Sequence, residues 1–155
     1  MTKKVSVAIL GSTGFVGLEL VKILSKHPKV NLVFFGTENN PDKLIKDIDA
    51  ELNLPNNPST MLNESFNFSL ADTVFLALPH GVSHKYVKSF YNKVQIIDLS
   101  ADFRLDDIAT YEKNYNEKHS VPGLLKEFVY GLPEFNKNVL NKNNNISIPG
   151  CYPTS

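Results

Sequence analysis

Three glycines, one cysteine and one arginine carry most of the chemistry legible in this 155-residue chain. Gly11, Gly14 and Gly17 stand at G-x-x-G-x-x-G spacing in GSTGFVG (11–17). Between a strand and a helix, such a loop would use Gly11 for a tight turn and Gly14 for close approach of backbone to phosphate. Gly17 would let the helix pack against the strand. The amides that open the helix, at Phe15 and Val16, would face a dinucleotide's phosphates, with Ser12 and Thr13 as further hydroxyl donors. Cys151, the only cysteine, lies in PGCYPT (149–154). Pro153 suits a first helical turn, which would place the thiol at a helix start, a position that favours thiolate and offers amides to an oxyanion. The alternative is a small buried hydrophobe, the commoner fate of a free thiol by composition.

Arg104 is the sole arginine among 16 basic residues. Its planar fork suits a phosphate or carboxylate, and a structural pair with Asp102, Asp106 or Asp107 is the equal alternative. His80 and His84 stand at i, i+4 spacing, but no third ligand is near in sequence, so no metal is expected. Pro79 and His80 are expected to line a cofactor groove, and His84 to be a surface histidine. After the second apolar run come Thr37, Glu38 and Asn39. An acidic residue there favours NAD and a basic one NADP; Thr37, Asn39 or Lys43 could take a 2′-phosphate, and the segment alone leaves the choice open.

The elements that must position these residues follow from periodicity. KVSVAIL (4–10), VNLVFFG (30–36), ADTVFLALP (71–79) and VQIIDLS (94–100) read as buried strands. Residues 14–26 read as a helix with Val16, Leu20, Ile23 and Leu24 on its apolar face. Residues 81–91 read as another, with Val82, Tyr86, Val87 and Phe90 together. A short helix is expected across 41–48, and FVYG and NISI are read as further strands after Ser100, separated by loops and short helices. Strand–helix alternation predicts a Rossmann-like, doubly wound, mostly parallel α/β sheet, whose ligands bind at the C-terminal ends of the strands.

Composition bounds the function. Formal net charge is +0, which argues against nucleic acid or an anionic membrane as partner. A single cysteine forms no internal disulfide, the opening apolar run is short for a signal peptide, and no stretch is long enough to span a bilayer. A cytoplasmic protein is expected.

The segments GSTGFVGLELVKILSKHP, VFLALPHGVS, IDLSADFRL, YGLPE and PGCYPT, in this order, resemble the N-acetyl-γ-glutamyl-phosphate reductase family, relatives of aspartate-semialdehyde dehydrogenase. The resemblance runs from about residue 4 to the last. It implies NADPH-dependent reduction of N-acetylglutamyl 5-phosphate, a small-molecule acyl phosphate, with Cys151 as the nucleophile that forms a thioester. It further implies that Arg104 meets the substrate phosphate, and that Ser100 and Ala101 approach cofactor or substrate. Residues 130–134 would support the site's edge. This chain departs from the family in having Ile148 where Asn is usual and no basic residue after the second strand. Residues 1–147 would be the NADP-binding domain and 148–155 the start of a second α/β catalytic domain. That domain would carry the catalytic histidine and the interface of a homo-oligomer; His27, His80, His84 and His119 match no such role. The cofactor half alone is expected to be inactive. The alternatives are a reductase for a carrier-protein-linked aminoadipyl or glutamyl phosphate, and a non-catalytic nucleotide-binding module.

Overall fold

The computed structural model describes residues 3–155. The chain divides after Ala77 into two compact units.

In the first unit, β1 (Val5–Leu10) runs between β2 (Val30–Thr37) and β4 (Thr73–Leu76), and β3 (Met61–Leu62) lies outside β2. All three pairings are parallel. The register places Val7 opposite Leu32 and Ala8 opposite Phe34, so a one-residue irregularity separates Val7 from Ala8. α1 (Phe15–Ser25) crosses from β1 to β2, and α2 is a single turn, Ile45–Ile48. Val7, Ile9, Val21, Phe35, Ile45 and Leu52 form the buried core of this unit, with Leu18, Leu20 and Leu24 packed against it.

The α1 face is rotated from the one expected. Gly17 and Val21 are buried, whereas Val16 is 53% and Ile23 63% exposed. The cause is steric: a Cβ on Gly17 would stand 2.0 Å from the Gly11 carbonyl oxygen, so the bare backbone at 17 sets which face seats on the strand. The helix expected across 41–48 shrinks to its last turn, where Ile45 enters the core. β3 has no sequence signal, since two residues cannot display alternation; pairing with Gly36 and Thr37 defines it.

In the second unit, β5 (Gln95–Asp98) pairs with β7 (Asn145–Ser147), and β7 with β6 (Val129–Tyr130), again in parallel. α3 (Ser83–Phe90), α4 (Ile108–Tyr115), α5 (Pro133–Leu140) and the short α6 (Cys151–Thr154) complete it. α3 buries Tyr86, Val87 and Phe90, as its periodicity predicts. It also buries His84, at 4% exposure, which corrects the expectation of a surface histidine. Among the described residues, no helix is long and apolar enough to cross a membrane.

Candidate functional site

The glycine loop turns as its spacing predicts. Gly11 has φ +79, a region a β-carbon disfavours. Ser12 N donates to Gly36 O at 2.7 Å and Gly14 N to Gly11 O at 3.2 Å, which closes the turn. A Cβ on Gly14 would meet only the Gly11 oxygen, at 3.6 Å, so the outer side of the loop is open. Gly14 caps α1 in extended conformation, no side chain satisfies the first-turn amides, and that turn holds no acidic residue. An uncapped helix start of this kind presents orphan N–H groups and partial positive charge. These residues fit the phosphates of a dinucleotide.

The Ser12 hydroxyl plays a different part from the one expected. Ser12 Oγ is fully buried and donates to Gly36 O at 2.9 Å, so it turns inward to brace the loop. Thr13 Oγ1 and Thr37 Oγ1 bond each other at 2.9 Å, and Thr37 Oγ1 also accepts from Asn40 N at 3.3 Å. The donors left to a phosphate are main-chain amides and whichever of the Thr13 and Thr37 hydroxyls accepts in their mutual bond. Phe15, at 95% exposure, stands beside them in solvent. The residue that sequence reasoning missed is Asn63: it is buried, and its Oδ1 accepts from Gly11 N at 3.0 Å across 52 positions.

The second unit holds a polar network around two buried carboxylates. Asp102 receives Gly81 N at 2.8 Å and Ser83 N at 3.1 Å, and His80 Nδ1 lies 2.7 Å from its Oδ1. Asp102 is therefore the cap of α3, supplied from a distant loop rather than from the helix's own N-terminal residue. Gly81, at φ +80, makes the turn into it. His119 Nε2 lies 2.9 Å from the Asp102 carbonyl and must donate there, while its Nδ1 accepts from Val121 N at 3.3 Å. Those two partners define a neutral imidazole, and burial pushes its pKa down. Burial also lowers His84, whose Nε2 is 3.4 Å from the Tyr111 hydroxyl. His80 Nε2 is 3.5 Å from the same hydroxyl and from Glu117 Oε2. His80, its side chain 31% exposed, is held within this network. Among the described residues, no group of His, Cys, Asp and Glu could hold a metal ion.

Asp98, at the end of β5, accepts from Ser83 Oγ at 2.9 Å, Ser100 N at 3.2 Å and Ser100 Oγ at 2.8 Å. Desolvation nevertheless dominates and pushes its pKa up to about 6. Ser100, expected near cofactor or substrate, is buried with its hydroxyl turned to Asp98; Ala101 follows it, half-buried.

Arg104 makes none of the three aspartate pairs weighed for it. Its Nε donates to Ile148 O at 2.8 Å and its Nη2 to Leu99 O at 2.9 Å, which ties the end of β5 to the turn after β7. A Cβ on Gly150 would stand 3.0 Å from Nη1, so the guanidinium lies against the residue before Cys151. Cys151 is exposed and is the first residue of α6. In this chain the thiol is not buried. The YGLPE segment supports this turn through Gly131 N, which donates to Ser147 O at 3.2 Å.

Residues 6–143 match the family model described as semialdehyde dehydrogenase, NAD binding domain. N-acetyl-gamma-glutamyl-phosphate reductases from Ehrlichia canis (strain Jake) and Halothermothrix orenii (strain H 168) are each 41% identical, across 100% and 97% of this chain. They are matched over 45% and 44% of their own length, so the chain spans under half of these curated relatives. The fold is similar to that of aspartate semialdehyde dehydrogenase II complexed with ASA from Vibrio cholerae. There the TM-score is 0.70 at 20% identity, covering 97% of this chain and 43% of that one. On the family model alone, which takes in most of both units, this chain belongs to the semialdehyde dehydrogenase NAD-binding domain family.

Proposed function

We propose that the protein reduces N-acetyl-L-glutamyl 5-phosphate to N-acetyl-L-glutamate 5-semialdehyde and phosphate, with NADPH as reductant and Cys151 as nucleophile. In this reading residues 1–147 hold the dinucleotide and residues 148–155 open the catalytic domain. The observation that carries it is the exposed Cys151 thiol on a turn held by Arg104, in a chain whose relatives bear that reductase name. The open amides at the start of α1 and the glycine loop would hold the dinucleotide's phosphates, and Pro79, His80, Ser100 and Ala101 are assigned to the cofactor by the sequence and the resemblance alone. Once bound, it supplies the hydride that the thioester carbon accepts.

The residues of this chain do the rest. The Cys151 thiolate attacks the acyl carbon, the S–C bond forms, and the C–O bond to phosphate breaks with its electron pair leaving on phosphate. The Arg104 guanidinium, with Nε and one Nη2 bond committed to carbonyls, directs its remaining N–H groups to the phosphate. After reduction the C–S bond breaks, the aldehyde departs, and the thiolate is restored. The preference for NADPH rests on the resemblance to these reductases. The substrate is a small molecule, and the natural-length protein works as a homo-oligomer in the cytoplasm.

The test is phosphate-dependent oxidation of N-acetylglutamate semialdehyde by the natural-length protein. Cys151→Ser is expected to lower kcat by at least about three orders of magnitude with dinucleotide binding unchanged. A substantial residual rate would exclude Cys151 as nucleophile.

A further inference from the structure

We propose that Asn63 sets the preference between phosphorylated and unphosphorylated nicotinamide dinucleotides by holding the Glu38 carboxylate; this rests on the cofactor reading above. Asn63 follows β3 and is almost wholly buried. Its Oδ1 accepts from Gly11 N at 3.0 Å, so the amide orientation is settled: Nδ2, a donor only, points the other way, 3.5 Å from Glu38 Oε2. A Cβ on Gly36 would fall 2.4 Å from Oδ1, so the end of β2 carries glycine where Asn63 crosses it. One side chain thus links the first glycine of the phosphate loop to the acidic residue just past β2.

That acidic residue stands where a glycine-loop fold reads the adenosine ribose. A carboxylate free to swing there accepts from a 2′-hydroxyl and repels a 2′-phosphate. Asn63 draws the Glu38 carboxylate towards β3 and so blunts that repulsion. This reconciles an acidic residue at this position with use of the phosphorylated dinucleotide. No sequence motif points to Asn63, because its partners lie 52 and 25 positions away.

Asn63→Asp separates the two links. It keeps an acceptor for Gly11 N and replaces the donor facing Glu38 with an anionic oxygen, so Glu38 is driven outward. With NADPH and NADH titrated calorimetrically into the natural-length protein, Asn63→Asp should weaken NADPH about tenfold or more, while NADH changes less than about twofold. Adding Glu38→Gln should restore the ratio. Glu38→Gln alone, which does not depend on the Asp variant folding, should leave the ratio within about twofold, because the carboxylate is already drawn aside. Equal weakening of both dinucleotides, a ratio that the double variant fails to restore, or a large NADPH gain in Glu38→Gln alone overturns this role for Asn63 and leaves the reductase reading standing. A wild-type protein that binds neither dinucleotide overturns both.

Discussion

Replacing Asp98 by Asn removes a buried carboxylate whose proton affinity folding has changed. In the unfolded chain the group titrates at 3.8, and in the folded unit burial raises it to about 6. The folded state therefore binds the proton more tightly, and the stability contributed by this group is fully present below pH 3.8. It is lost as pH rises through 6. Each pKa unit corresponds to about 1.4 kcal/mol, so the two-unit shift amounts to roughly 3 kcal/mol across that window. Other carboxylates act in the opposite sense; Asp107, for example, is lowered by its bonds from Thr110. Only the difference between wild type and Asp98→Asn isolates the group. Asn retains an acceptor for Ser83 Oγ and Ser100 N, but its amide would face Ser100 Oγ, which now donates to the carboxylate. That mismatch costs about 1 kcal/mol at every pH. Urea unfolding followed by circular dichroism between pH 4 and pH 7.5 should show wild type losing roughly 2.5 kcal/mol relative to the variant as pH rises. A pH-independent difference would mean that Asp98 is solvated or firmly ionised in the fold, and the desolvation argument would fail.

Gly17→Ala forces a methyl to within 2.0 Å of the Gly11 carbonyl and 2.7 Å of Ser12 Cα, both backbone that cannot rotate aside. The overpacking should outweigh alanine's helix propensity and destabilise by about 2 kcal/mol, read as a lower thermal midpoint with dinucleotide binding lost. Arg104→Lys replaces a fork with a point charge that cannot reach Leu99 O and Ile148 O together. A loss of about 2 kcal/mol and faster hydrogen exchange at residues 148–151 are expected, and unchanged exchange there would show that the guanidinium does not hold the turn.

The glycine spacing, the strand–helix alternation and the start of a helix at Cys151 were all legible in the sequence, because each is a local matter. A turn at Gly11 needs positive φ, α3 needs apolar residues every third or fourth position, and Pro153 favours a first helical turn. What tertiary structure alone decided is the choice of partner for each polar group. Ser12 could have faced a phosphate, and it turns instead to Gly36; Arg104 could have paired with a neighbouring aspartate, and it binds two carbonyls. His84 looked exposed at its i, i+4 spacing from His80, yet it is buried beside Asp102, Tyr111 and His119. Asn63 carried no signal at all. The competing partners are alike in chemistry, and apart from Leu99, five positions from Arg104, the ones chosen come from 18 or more positions away. Local spacing determines a turn or a helix face, but which donor meets which acceptor is settled when the sheet brings distant loops together and burial makes an unpaired group costly.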